Sequence, residues 1–470
     1  MTQLHDLSAL EQADAVRRRE VSSVELVEHC AQRTADLDPL VGAFVTLTLD
    51  RAREQARAAD AAVAAGEDLP PLHGVPTAVK DLNPDAGVPM GLGSRAFSGF
   101  VPRVSDVTVT RLRAAGTISL GKTNTPELGL PCYTETAVAP PARTPWDLSR
   151  SAGGSSGGAG AAVAAGLVPV AQGSDGGGSI RIPASVCGLY GLKPSRGRIS
   201  NGPLVGDVTG LPTNGPLTRT VADAAALLDA LAGPSPGDPH WAPPPAQTFL
   251  SAVGEDPGRL VVGRYATPVL AGAEVHPECL RAWEDASALL ADLGHEVVDV
   301  DPPFGPDLKP HFEVLWSVSA AGAPVDPARE GDLLPLTRWL RERGRAFRAV
   351  EFTAAVTALQ LATRRAVTAT AHCDVVLTPS LAGLPAPLGW FTDAGDPRAE
   401  FDRMSAWTPF TAVYNTTGQP AASLPLHWTP EGLPVGVQLV GRPADELTVL
   451  RLSAQLEAAR PWRERHPDLW

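Results

Sequence analysis

Three stretches of this chain hold the residue types best suited to covalent chemistry: GVPTAVK (74–80), SAGGSSGG (151–158) and SDGGGSIRIPASVCG (174–188). Ser179 closes the run SDGGGS directly ahead of IRIPASVCG, which reads as a helix start. The bare backbone of Gly176, Gly177 and Gly178, with the N–H of Ser179 itself, can converge on one point, as an oxyanion hole requires. The same residues also suit a tight turn and a helix cap, and the local sequence leaves both readings open. A serine nucleophile is inert without a base. Lys80 ends an apolar run, and burial depresses a lysine pKa of ~10.4 by as much as 3 to 5 units, within reach of neutrality. Arginine has no such range. Lys80 could equally be a solvated charge, or be neutralised by the adjacent Asp81.

Two other patterns compete for attention. Gly116-x-x-x-x-Gly121-Lys122-Thr123 fits the phosphate-loop spacing letter for letter. A phosphate loop, however, follows a strand and opens a helix. Here DVTVTRLRAAG reads as a helix running from Asp106 to a Gly116 cap, TISLGK alternates like a strand, and Pro126 follows closely, so the context excludes nucleotide binding. Gly153-x-Ser155-x-Gly157 resembles a nucleophile elbow, yet none of the ten histidines sits in a segment that nominates a base.

The elements that must position these residues follow from periodicity. Helices are expected within residues 7–66: LSALEQADAVRRRE, SVELVEHCAQRTADL behind the cap candidate Ser22, and DRAREQARAADAAVAAG closing on Gly66. GVPTAVKDL reads as a short strand ending in charge. Residues 151–192 hold twelve glycines and only two charges, Asp175 and Arg181. The run AAVAAGLVPVA among them reads as a small-residue helix entering a strand rather than a linker. A helix at 220–232, a surface loop PSPGDPHWAPPPAQ, and an alternation of strands (RLVVGRY, HEVVDVD) with helices follow. Helices occupy 308–371, and the chain ends with strands PAASLPLHW and VGVQLVG and a helix from Ala444. The pattern predicts an α/β fold with a mixed, mostly buried sheet covered by helices.

Composition narrows the function classes. The formal net charge of −13 argues against a broad nucleic-acid footprint, and no apolar run reaches membrane-spanning length. The N-terminal stretch has an amphipathic pattern and lacks a signal peptide's hydrophobic region. Five scattered cysteines without CxxC spacing argue against a disulfide framework or zinc site and for a reduced, cytoplasmic setting, with Cys132 and Cys187 packing as small apolar residues. Only four of the 39 basic residues are lysines (Lys80, Lys122, Lys193, Lys309), which gives each of them added interest.

Taken together, GVPTAVKD, AGTISLGKTNTPELG, TPWDLSRSAGGSSGG, the tract through GLKPS, and TGQPAASLP with GLPVGVQLVGRP resemble the amidase signature enzymes, which hydrolyse carboxamides through a Ser-Ser-Lys triad. The resemblance spans most of the chain. It implies one large domain with a central mixed sheet under helices on both faces: N-terminal helices 7–66, a signature core at about 70–230, a variable substrate-side region at about 235–400, and closing strands and helix at 410–470. It implies Ser179 as nucleophile, Ser155 as bridging serine in a cis Gly154–Ser155 peptide, and Lys80 as base. The oxyanion hole then falls at Gly176, Gly177, Gly178 and Ser179, with Ser156, Asp175 and Arg181 in support and neither metal nor organic cofactor. Met90, Tyr133, Trp316 and Phe410 are the expected pocket residues; Trp339, Trp390, Phe391 and Trp407 are further aromatics suited to an apolar acyl or aryl group, with core packing the alternative. Gly176 stands where the family commonly carries threonine, and Thr144 where it commonly carries asparagine before Pro-Trp. The expected substrate is a small aliphatic or aryl amide, with no nucleic-acid or membrane partner; a homodimer is compatible with this. Two other readings stay open: the glutaminase subunit of a tRNA-dependent amidotransferase, and a catalytically silent amidase-fold binding protein.

Overall fold

The computed structural model describes residues 3–269 and 272–470. Its centre is one eleven-stranded mixed sheet. In chain order the strands are β1 (Phe44–Leu47), β2 (Pro76–Lys80), β3 (Ile118–Thr123), β4 (Val170–Asp175), β5 (Tyr190–Lys193), β6 (Thr213–Thr218), β7 (Val261–Arg264), β8 (Glu296–Asp299), β9 (Val375–Pro379), β10 (Ala421–Trp428) and β11 (Pro434–Gly441). In space they run β1-β3-β2-β4-β6-β5-β10-β11-β9-β7-β8. β2 is parallel to both neighbours, β3 and β4, and β7 to both β8 and β9; the remaining pairings are antiparallel.

Side chains alternate across a strand, and here both faces are buried. Ala78 and Ala171 face one hydrophobic cluster, Val79 and Val170 the other. The first cluster takes in the helices Gly157–Ala164 and Arg181–Cys187, the second Val221–Leu231, Pro277–Asp292 and Glu446–Ala459. That two-sided burial explains why the strands read as apolar runs rather than alternating ones.

Local signals explain the element ends nearest the candidate residues. Asp106 caps Val107–Ala114 by accepting from Val109 N, and Gly116, at φ +82°, turns the chain into β3. Lys122 therefore sits in a buried strand, and the phosphate-loop spacing has no loop beneath it. The helix Gly157–Ala164 is made of GGAGAAVA because its backbone lies directly on the exit of β3. A Cβ on Gly158 would stand 2.3 Å from Asn124 N and 2.4 Å from Ala43 O.

The sequence reading differs from the structure at several strands. β1 interrupts the helical stretch expected over 7–66, pairing antiparallel with β3. The sequence reading also places no strand over β5, β6 and β9, which the structure forms. β6, TNGPLT, carries the glycine and proline that argue against a central strand, yet it lies between β4 and β5. No helix among the described residues is long and apolar enough to cross a membrane.

Candidate active site

β2 and β4 run parallel side by side, so their C-terminal ends arrive at the same edge of the sheet. Lys80 is the last residue of β2, and Asp175 the last of β4. The loop 176–179 leaves β4 there and enters the helix Arg181–Cys187. Ser155 and Ser156 arrive from the other side, immediately before the helix Gly157–Ala164, and the Gly154–Ser155 peptide is cis.

Lys80 is fully buried, with Nζ 2.8 Å from Ser155 Oγ, 3.0 Å from Ser174 Oγ and 3.2 Å from Ser174 O. Its backbone N–H donates to Gln172 Oε1 at 3.0 Å. No carboxylate among the described residues is bonded to the amine. Burial pushes its pKa down to about 7, against an opposing pull from the more distant Asp175 charge. Asp81, the neighbour that could have neutralised Lys80, turns instead to Lys122: the two are 3.4 Å apart, and Lys122 Nζ also donates to Asn83 O at 2.6 Å.

Ser179 is nearly buried and lines a cleft. Its carbonyl accepts from Ser156 N at 3.2 Å, which seats it against the Ser155–Ser156 turn. Ser156 Oγ in turn donates to Ser174 O at 3.1 Å. Ser155 Oγ and Ser179 Oγ are not joined by a hydrogen bond.

Asp175 and Arg181, the only charges of the glycine-rich tract, form a fully buried two-pronged pair, with Nε and Nη2 at 3.0 and 2.9 Å from the two carboxylate oxygens. The guanidinium holds the Asp175 carboxyl well below the usual carboxylate range against the opposing effect of burial. The same carboxylate accepts from Gly178 N at 2.7 Å and Ile180 N at 3.1 Å. This corrects the expected oxyanion donor set: the Gly178 N–H is spent on Asp175. The N–H groups of Gly176, Gly177 and Ser179 form no hydrogen bond to the described residues and remain available.

Three supports were absent from the sequence reading. Arg181 Nη1 donates to Thr411 O at 2.9 Å and Gln438 Oε1 at 2.7 Å, and Nη2 to Asn415 Oδ1 at 2.6 Å. The side-chain amide of Asn415 donates back to Asp175 O and Oδ1. One signal was present in the sequence: Gln438 is the single polar side chain inside VGVQLVG, a strand buried along its whole length. Thr144, where the resemblance expects asparagine, donates its hydroxyl to Val186 O at 2.8 Å and ties down the far end of the helix that Ser179 precedes.

The cleft is apolar and of about 90 Å³. Leu308, Phe312 and Trp316 from the helix Leu308–Gly322 form one part of its lining, and Phe401 and Met404 from the helix Pro397–Trp407 another. Phe312 and Trp316 stack at 5.3 Å. The Trp316 ring lies 3.5 Å from where a Cβ on Gly176 would stand, so the indole rests on bare backbone. Of the four expected pocket residues only Trp316 lines this cleft. Tyr133 is buried, stacked on Phe391 at 4.6 Å with its hydroxyl donating to Glu400. Phe410 is fully buried beside Tyr265. Met90 lies in a segment that folds back on itself, its N–H bonded to Phe100 O and the next N–H to Asp81. Trp339, Trp390, Phe391 and Trp407 are likewise outside the lining, whereas Cys132 is part of it, its thiol pushed well up by burial. The one charged residue among the described residues of the lining, Lys309, is paired with Asp402 at 2.6 Å.

Comparison with known proteins agrees with this architecture. The family model described as Amidase matches residues 25–450, and the chain belongs to this family, the amidase signature enzymes. It is 40% identical over 471 residues to a putative amidase, AmiB2, of Mycobacterium tuberculosis, covering 100% of this chain and 99% of that one. It is 36% identical over 478 residues to an acylamidase of Rhodococcus erythropolis, covering 99% and 98%. The solved structure of 6-aminohexanoate cyclic dimer hydrolase complexed with substrate is similar at a TM-score of 0.92 and 34% identity, covering 99% of this chain and 100% of that one. The protein is an amidohydrolase acting on the C–N bond of amides.

Proposed function

We propose that this amidase hydrolyses small, uncharged amides with an apolar aliphatic or aryl acyl group, through an acyl-enzyme on Ser179. The observation that carries the reading is the 2.8 Å contact of a buried, carboxylate-free Lys80 amine with Ser155, beside a serine that lines the cleft. Neutral Lys80 accepts the Ser155 proton while Ser155 accepts that of Ser179, whose Oγ attacks the amide carbon. The Ser155–Ser179 hydrogen bond is expected to close around the substrate, as catalytic hydrogen bonds commonly do. The N–H groups of Gly176, Gly177 and Ser179 take up the charge on the carbonyl oxygen. The proton returns through Ser155 to the departing nitrogen, the C–N bond breaks, and water repeats the cycle on the ester.

An apolar lining whose only charge among the described residues is already paired supports a neutral acyl group. Glutamine brings an ammonium and a carboxylate, and burying either without a partner is costly. The five cysteines, all free and buried, suit a reducing cytoplasmic setting.

A panel of benzamide, hexanamide, an anilide, a dipeptide amide and glutamine, assayed by released amine or ammonia, tests this reading. Aryl and alkyl amides are expected to lead, and glutamine to trail. Ser179→Ala is expected to abolish turnover with unchanged thermal unfolding. Glutamine as the best substrate would favour the amidotransferase reading instead. A wild-type protein that neither turns over an amide nor labels with a fluorophosphonate would favour a silent binding protein.

A further inference from the structure

We propose that Thr411 is a positioning residue for amide hydrolysis, aiming the oxyanion donors by clamping the peptide unit between Gly177 and Gly178. The inference rests on Ser179 being the nucleophile. A peptide unit is planar, so holding both its ends fixes its orientation. Thr411 Oγ1 donates to Gly177 O at 2.7 Å, and Asp175 Oδ1 accepts from Gly178 N at 2.7 Å. These are the C=O and N–H ends of one unit. The unit before it carries the Gly177 N–H, and the unit after it carries the Ser179 N–H. Two of the three available donors, the N–H groups of Gly177 and Ser179, therefore pivot on a unit that Thr411 and Asp175 hold from opposite ends.

The loop needs such a clamp. Both pivots are glycines, whose backbone rotation no Cβ restricts. Thr411 also fills the space that makes a side chain at position 178 inadmissible: a Cβ on Gly178, which sits at φ +127°, would stand 2.4 Å from Thr411 Oγ1 and 2.6 Å from its Cβ. Contacts then close into a ring, because Thr411 O accepts from Arg181 and Arg181 grips Asp175. Thr411 is fully buried and is not part of the cleft lining, although Thr408, Pro409, Ala412 and Val413 around it are. Its effect on substrate passes through the loop.

The test compares Thr411→Val, which keeps the shape and loses the hydroxyl, with Thr411→Ser, which keeps the hydroxyl. Steady-state kinetics on benzamide are read alongside the Ki of benzeneboronic acid, a probe that forms a tetrahedral adduct on a serine, and thermal unfolding. For Thr411→Val we expect kcat to fall about 10- to 100-fold with KM within about 3-fold, and the boronate Ki to rise by the factor lost in kcat/KM. Thr411→Ser is expected to recover to within about 3-fold of wild type. Should the valine variant not fold, Thr411→Ala is read the same way. A hydroxyl-free variant with kcat within about 2-fold of wild type overturns the proposal, as does a loss confined to KM with boronate affinity unchanged, or a serine variant as impaired as the valine. A boronate that binds Ser179→Ala as tightly as wild type would instead sink the nucleophile assignment, whatever Thr411 does.

Discussion

Lys80 and Lys122 lie on neighbouring parallel strands, one residue out of register, and both are buried. Their surroundings differ in one respect that decides their chemistry. Lys122 has an aspartate 3.4 Å away and a carbonyl at 2.6 Å. Lys80 has two serine hydroxyls and a carbonyl, with no anion among the described residues bonded to it. Burial favours the neutral amine at both sites, but only at Lys122 does an adjacent carboxylate oppose it. Burial alone would therefore not suit a lysine to the base role proposed for Lys80; the anion must also be kept away. Here the chain does this by turning Asp81 towards β3 and tying its other oxygen to Gly91 N.

The contrast predicts opposite outcomes for the same substitution. Lys80→Met is expected to lower kcat/KM by about 10⁴-fold or more, as removal of a base acting in a unit does. Its unfolding free energy should fall by no more than about 1 to 3 kcal/mol, since buried hydrogen bonds to Ser155 and Ser174 are lost but no ion pair is. Lys122→Met should strand a buried carboxylate and cost about 3 to 5 kcal/mol of stability in urea unfolding, while the folded enzyme keeps most of its kcat. A Lys122 variant that is fully stable and inactive would reverse the assignment of the two lysines.

The smallest and sharpest test is pH. A Lys80 pKa of about 7 predicts that kcat/KM falls as pH drops through 7, where the amine takes up a proton and loses its capacity as base. The sign for stability follows from the same shift. Between about 7 and the unfolded value of about 10.4 the unfolded chain binds a proton that the folded chain does not, so this group's contribution to stability rises with pH across that window. Lys122, with its anion alongside, should add no limb to the activity profile.

Much of this was legible in the sequence because the relevant signals are local. The capped helix before β3, the small-residue helix after Ser156, and the lysine closing an apolar run can each be read within about ten residues. Short strands without alternation were not legible: β5 has four residues, and β6 carries Gly215 and Pro216. Nor were contacts across 230 or more positions, such as Thr411 to Gly177 and Gln438 to Arg181. The aromatic residues show the same limit. Composition marks Tyr133 and Phe410 as candidates as readily as Phe312 and Phe401, and only packing separates core from cleft.

The brace behind the proposed nucleophile also sets a schedule for synthesis. Arg181 leaves the ribosome 257 residues before Gln438, one of its acceptors, and 234 before Asn415. At about 5 to 20 residues per second, the loop waits roughly ten seconds to a minute for its supports. Until then the loop that carries Ser179, the proposed nucleophile, lacks its outer struts, so a chain that stops short of Asn415 holds this serine without the contacts that brace its loop.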